Sequence, residues 1–242
     1  MTDFVELWVY LASTPLFGLT ATLAVYGLAH HIYVTSAHAP WANPVFISVA
    51  ILATSLHLTG VAYPTYFSGA QFIHFLLGPA VVALGWPLWQ RRHELMIHGW
   101  RLLLAALVGG GCAAVSAGAI AWAVDLPPDV IRSLVPKSMT APVAMGVAEA
   151  IGGVPALAAV FAVITGMVGA LSAKYLFTWM GLGHSPRDWR IRGFALGTAA
   201  HGIGAARAMQ VNNDAGAYAG LGLGLQVLLA SILIPLVLNH WR

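Results

Sequence analysis

Residues 136–145 read Pro136-Lys137-Ser138-Met139-Thr140-Ala141-Pro142-Val143-Ala144-Met145, a polar interruption in a chain that is otherwise almost wholly apolar. Neither proline fits an undisturbed helix interior, because each lacks an amide hydrogen and crowds the preceding turn. The spacing therefore predicts a helix that stops near Val135 and a second that starts near Thr140. Ser138 or Thr140 serves as N-cap of the second helix, and Pro142 falls in its first turn, where proline is tolerated. A helix broken at membrane depth survives only where it is buried in protein or lines a water-filled cavity. Transporters hold anionic substrates at such half-helix starts.

The depth follows from composition. Of 242 residues, 8% are charged and 59% are hydrophobic, and the mean hydropathy is +0.80. No soluble domain of this length needs so little polar surface. The expected class is an all-α, polytopic transmembrane helical bundle, with length for roughly seven or eight segments of about 20 residues. The net charge of +3 comes from a few clustered arginines. In such a chain it reports topology and argues against a nucleic-acid surface. Cys112 is the only cysteine, so it forms no disulfide or thiolate metal site within the chain and reads as a packing residue. Asp3 and Glu6 with no nearby Lys or Arg do not resemble a signal peptide, and the first segment, residues 5–29, is expected to be a retained peripheral helix.

The remaining chain, residues 43–240, reads as one integral core. Spans are expected at 43–62, at 71–89 interrupted by Gly78-Pro79, at 99–124, at 153–180 and at 215–238. His30, His31 and His38 read as a solvated loop, not a metal site, and His57 as a histidine facing other helices. Asp125 is expected to cap the helix that precedes the break. Arg91 and Arg92 mark one basic loop, and Arg187, Arg190 and Arg192 another. Placing both on the cytoplasmic side leaves an even number of crossings between them, so residues 126–150 must enter and leave on one side. A second interruption falls at His201-Gly202-Ile203-Gly204, where glycines weaken a helix by about 1 kcal/mol each. The expected fold thus has two discontinuous or re-entrant helices, with Pro79, Pro136 and Pro142 as breaks. The spans 99–124 and 153–180 run in opposite directions with similar patterns, Gly99 to Gly109 and Gly153 to Gly166, each after a proline-broken piece at Pro79 or Pro142, which hints at an inverted repeat.

Lys137 and Arg207 stand beside these breaks. An unpaired cation inside a membrane costs on the order of 3 kcal/mol, and a helix N-terminus is itself positive. Cations and bare amides together want an anion. The candidate substrate-binding set is Lys137 and Arg207 for charge, the half-helix amides of Ala141, Val143 and Ala205, the glycines Gly202 and Gly204, and Ser138, Thr140 and His201 as hydrogen-bonding neighbours. Glu149 or His201 is a candidate for proton coupling. No nucleotide loop, metal triad or nucleophile–base pair stands out, so neither an enzyme nor a cofactor is expected.

Several separated blocks carry a family resemblance: Asn43-Pro44-Val45, residues 72–80 from Phe72 to Ala80, residues 136–142, Gly152-Gly153-Val154-Pro155-Ala156-Leu157, and residues 197–208 from Gly197 to Ala208. In this order they resemble the LrgB/CidB family. The resemblance implies one of two functions. One is antiholin- or holin-like modulation of murein hydrolase activity and lysis beside a small LrgA/CidA-type membrane partner. The other is transport of small monocarboxylates of the pyruvate, lactate, glycolate and glycerate class by alternating access. Some relatives are plastidal glycolate–glycerate translocators. It also implies a multi-pass protein of the bacterial cytoplasmic membrane and a homo-oligomer. Met139, Ala141 and Gly202 depart from the family's usual residues, while Lys137, Pro142, His201 and Arg207 are kept.

Overall fold

The computed structural model describes residues 15–36, 39–42, 44–76, 79, 82 and 85–239. Among them every regular element is helical. The chain forms two compact units, residues 1–80 and 81–242. The first unit contains α1 (Pro15–Thr35), α2 (Pro44–Thr59) and α3 (Tyr63–Phe75). Gly18 lets α1 meet α3, since a Cβ there would stand 2.1 Å from the Tyr66 carbonyl oxygen. Thr22 Oγ1 and the Tyr66 hydroxyl close the contact at 2.6 Å. At 16 residues, α2 is about 24 Å long, shorter than a full crossing. The expected interruption at Gly78-Pro79 cannot be followed, because Gly78 and Ala80 lie outside the described residues.

The second unit contains α4 (Gly85–Gln90), α5 (Arg92–Ala123), α6 (Pro128–Leu134), α7 (Ala141–Ala150), α8 (Pro155–Trp179), α9 (Pro186–Val211) and α10 (Asn213–Asn239). α5, α8 and α10 are long and apolar enough to cross a membrane. Their outward faces are large and apolar, as with Leu104, Val108 and Val115 of α5 and Val160, Ile164 and Val168 of α8. Inward, α8 presents Ala158, Ala162, Gly166, Ala170 and Ala173, a stripe of small residues at helical spacing that lets other backbones approach.

Glycine carbonyl contacts show the course of α9. Cβ atoms at Gly193 and Gly197 would lie 2.1 and 1.9 Å from the carbonyl oxygens of Ala215 and Ala219, and one at Gly222 would lie 2.5 Å from that of Phe194. The contacts advance in step, so α10 runs parallel to the first arm of α9 and starts level with it. A straight helix would separate residues 193 and 215 by about 33 Å. The chain must therefore fold back, and it does so at Ala200 (φ −120°, ψ 16°) and His201 (φ 42°, ψ −137°). The arms press together where a Cβ on Gly204 would lie 2.7 Å from the Ala200 Cβ. α9 is thus a helical hairpin.

The chain before α8 forms a second hairpin. α6 ends at Leu134, the tight turn 135–140 follows, and α7 returns. The Ser133 hydroxyl donates to the Asp129 carbonyl at 2.6 Å and accepts from the Val154 amide at 2.7 Å, which ties the inbound arm to the far end of α7. α7 closes with a left-handed Gly152 (φ 77°) and the Gly153 amide on the Ala148 carbonyl at 2.7 Å, a Schellman ending. Asp125 does not cap α6 as expected. It adopts φ 55° and ends α5 in the same way, with the Leu126 amide on the Ala121 carbonyl at 3.1 Å, and Pro127 takes the cap position of α6. Aspartate is among the few residues that tolerate this conformation.

Both basic loops run directly into helices. Arg92 already opens α5, and Pro186 opens α9 behind a capping box between Ser185 and Asp188. Hydrogen bonds from the Ser185 side chain, and then from the Ser185 and Gly183 amides, hold the Asp188 carboxyl below the usual carboxylate range. Arg91 reaches Asp214 at 4.0 Å, and Arg91 and Arg190 flank the Tyr218 ring at 5.8 and 5.6 Å. The starts of α5, α9 and α10 therefore share one end. Arg91, Arg92, Arg101, Lys174, Arg187, Arg190, Arg192 and Arg207 gather toward it, eight of the chain's 11 Lys and Arg. The α6–α7 hairpin joins α5 and α8 at their opposite ends.

Candidate functional site

The turn 135–140 lies inside the protein. Pro136, Ser138 and Met139 are buried and Lys137 is half-buried. Met139 packs in one cluster with Ala144, Val147 and Ala148 of α7, Ile151 just past its end, Ala158 and Ala162 of α8, and Ala230 of α10. Thr140 is the N-cap of α7, but its side chain makes no capping hydrogen bond, and Pro142 occupies the first turn. The first amides of a helix have no intrahelical partner, so those of Ala141 and Val143 are open to an outside acceptor. Ser138 Oγ and Thr140 Oγ1 are both buried and without a hydrogen-bond partner. An unmet buried hydroxyl costs about 1–3 kcal/mol, which a bound ligand or water would relieve.

The second break approaches α8, which packs against the first. His201 Nε2 donates to the Ala162 carbonyl at 2.7 Å. A carbonyl only accepts, which fixes the proton on that nitrogen. Gly166 makes room for the ring, because a Cβ there would lie 2.8 Å from Nε2. Ala162 is therefore common to both hairpins: it belongs to the cluster around Met139, and its oxygen receives His201. His201 is 4% exposed, and its left-handed φ is strained for a side-chain-bearing residue. Gly202 and Gly204 open the return arm, and Ala205 packs on the cluster between α8, α9 and α10.

Two candidate residues sit elsewhere. Arg207 is six residues past the break and lines a cavity at the basic end together with Lys174, His184 and Arg192; Lys137 is not among that cavity's residues. Glu149 is exposed near the end of α7, about 12 Å along the helix from Ala141. Sequence reasoning misses Ala162 and Gly166, although the small residues at every fourth position of α8 are a visible signal. It also misses Arg192 as a site residue, reading it only as a topology marker.

One consequence concerns stability. Gly166→Ala places a methyl group against the His201 ring and Ile203. Overpacking of this kind costs about 1–3 kcal/mol, so the midpoint of thermal unfolding in detergent is expected to fall by several degrees. Gly111→Ala, where a Cβ meets nothing within 4 Å, is expected to change it less.

Long apolar helices, a broken helix start with unmet hydroxyls and a folded-back helix define an integral membrane protein with discontinuous helices. The chain belongs to the LrgB-like family, whose model matches residues 22–240. It is 33% identical over 198 residues to the "Uncharacterized protein YxaC" of Bacillus subtilis (strain 168), covering 82% of this chain and 84% of that one. It is 30% identical over 225 residues to the "Antiholin-like protein LrgB" of Bacillus mycoides (strain KBAB4), covering 92% and 95%. A Haemophilus influenzae relative is 31% identical over 196 residues, 81% of this chain and 83% of its own. No solved structure gives a significant match.

Proposed function

We propose that the protein carries small monocarboxylates of the pyruvate, lactate, glycolate and glycerate class across the bacterial cytoplasmic membrane by alternating access. The observation that carries this reading is the pair of buried, unpartnered hydroxyls, Ser138 and Thr140, at the start of α7 beside Lys137. A carboxylate placed there would accept from both hydroxyls and from the amides of Ala141 and Val143, with Lys137 supplying counter-charge. His201 holds the α9 hairpin against Ala162 of α8, which packs in the cluster around Met139, and through that contact it couples the two hairpins. The basic end faces the cytoplasm by the positive-inside rule, so the α9 hairpin enters from the cytoplasm and the α6–α7 hairpin from outside. Opposed hairpins flanking one central helix are the arrangement an inverted repeat produces. Arg207, at the cytoplasmic base of its hairpin, serves the entrance to the path. Glu149 and His201 remain the candidates for proton coupling, and a homo-oligomer is expected.

A second reading draws on the printed name of relatives such as the Bacillus mycoides protein: an antiholin-like protein that modulates murein hydrolase activity beside a small LrgA-type membrane partner. Uptake by purified protein in liposomes separates the two. A carrier accumulates labelled pyruvate, lactate or glycolate down a gradient. An antiholin-like protein moves none of them, alone or with the LrgA-type partner, and its effect appears only as altered lysis in cells.

A further inference from the structure

The cavity at the basic end is a separate feature from the turn at 135–140. Its volume is about 180 Å³, and it opens between the end of α8 and both arms of α9. The walls are mostly apolar, with Phe177, Leu196 and Val211 among them, while Lys174, His184, Arg192 and Arg207 supply the polar groups and no Asp or Glu takes part. Arg192 is only 9% exposed. Its guanidinium lies 4.9 Å from the Trp189 ring centroid and 5.8 Å from that of Phe177. One terminal nitrogen donates to the Leu182 carbonyl, but Nε has no partner. Asp188 acts electrostatically on Arg192, yet one of its oxygens is engaged by the Gly183 and Ser185 amides at 3.1 and 3.4 Å. Lys174 and Arg207 make no ion pair among the described residues.

A buried guanidinium with an idle donor, in a cavity lined by two further cations and by no carboxylate, is complete only with an anion. We infer that this cavity binds an oxyanion, a carboxylate or phosphate group on a small apolar body, between Arg192, Arg207 and Lys174. The anionic group meets the three cations, and its apolar part lies on Phe177 and Leu196. Two sources supply this chemistry: a soluble organic acid entering from the cytoplasm, or the headgroup of an anionic lipid of the inner leaflet. The inference does not depend on the carrier reading, since binding here requires no transport.

The test uses the full chain in phosphatidylcholine nanodiscs, with lactate or inorganic phosphate added and the thermal midpoint as readout. In a second arm the discs contain phosphatidylglycerol, and retained lipid is counted by native mass spectrometry. Arg207→Gln and Lys174→Gln are the principal variants, because both side chains reach the surface and neither should alter the unliganded midpoint. Arg192→Gln is added as a third. Loss of one charge-assisted contact is expected to weaken binding roughly tenfold or more. A soluble acid as occupant gives a saturable rise in midpoint with lactate or phosphate that each variant reduces. A lipid as occupant gives tightly retained phosphatidylglycerol that each variant sheds. The inference is overturned if neither the anions nor phosphatidylglycerol bind, or if binding survives all three substitutions unchanged.

Discussion

Lys137→Ala in proteoliposomes is expected to lose most of its carboxylate uptake at substrate concentrations near the wild-type KM. Lys137 sits half-buried between buried Pro136 and buried Ser138, in a turn whose two hydroxyls, Ser138 Oγ and Thr140 Oγ1, have no hydrogen-bond partner. Removing a charged hydrogen-bond donor costs roughly 1.5–3 kcal/mol, about a 10- to 150-fold loss of affinity. The loss should appear as a raised KM, while the midpoint of thermal unfolding stays close to wild type because Lys137 forms no ion pair among the described residues. Lys137→Arg keeps the charge but broadens the head, and is expected to recover part of the uptake. Normal uptake by Lys137→Ala would remove this turn from the transport path.

Gly197→Val is expected to have the largest effect on the fold itself. The missing Cβ at Gly197 would stand 1.9 Å from the Ala219 carbonyl oxygen, a backbone atom that moves only if α10 moves. Gly193, one turn earlier, makes the matching approach to Ala215. A branched side chain at 197 must separate α9 from α10 along their length. Overpacking at its upper range, about 3 kcal/mol, is a large share of a typical stability of about 5–15 kcal/mol. For a chain of this size it lowers the thermal midpoint by roughly 6–12 °C. Gly202→Ala is the control, because a Cβ there meets nothing within 4 Å. Equal melting of the two variants would contradict the parallel packing of α9 on α10.

The first hairpin is legible in the sequence almost to the residue. Pro136 and Pro142 mark local chemistry that no tertiary contact overrides, and the observed gap between Leu134 and Ala141 falls where they require it. Glycines mark the second break, but the chain turns at Ala200 and His201, just ahead of them. The strained residue is the histidine, held there by the Ala162 carbonyl, a contact 39 positions away that a linear reading does not contain. Nor does the sequence reveal that α9 folds back. Gly193 and Gly197 look like generic small residues until they meet Ala215 and Ala219. Asp125 misleads because aspartate serves both as a helix cap and as a left-handed helix terminator, and only the hydrogen bonds of Leu126 tell these apart. Arg207 belongs to a break by its place in sequence. In space the return of the chain carries it to Lys174 and Arg192, residues 33 and 15 positions earlier.

A start of α7 that is a polar site open to a carboxylate is also open to a thiol reagent, and the two compete. The most direct measurement labels Thr140→Cys, in a Cys112→Ala background, with a small membrane-impermeant maleimide in vesicles, with and without pyruvate or lactate. The introduced thiol is expected to react from at least one side of the membrane, and the carboxylate to slow that reaction in a saturable way. A thiol that stays unreactive from both sides, or reacts at the same rate whatever carboxylate is present, would contradict a carboxylate site at the start of α7.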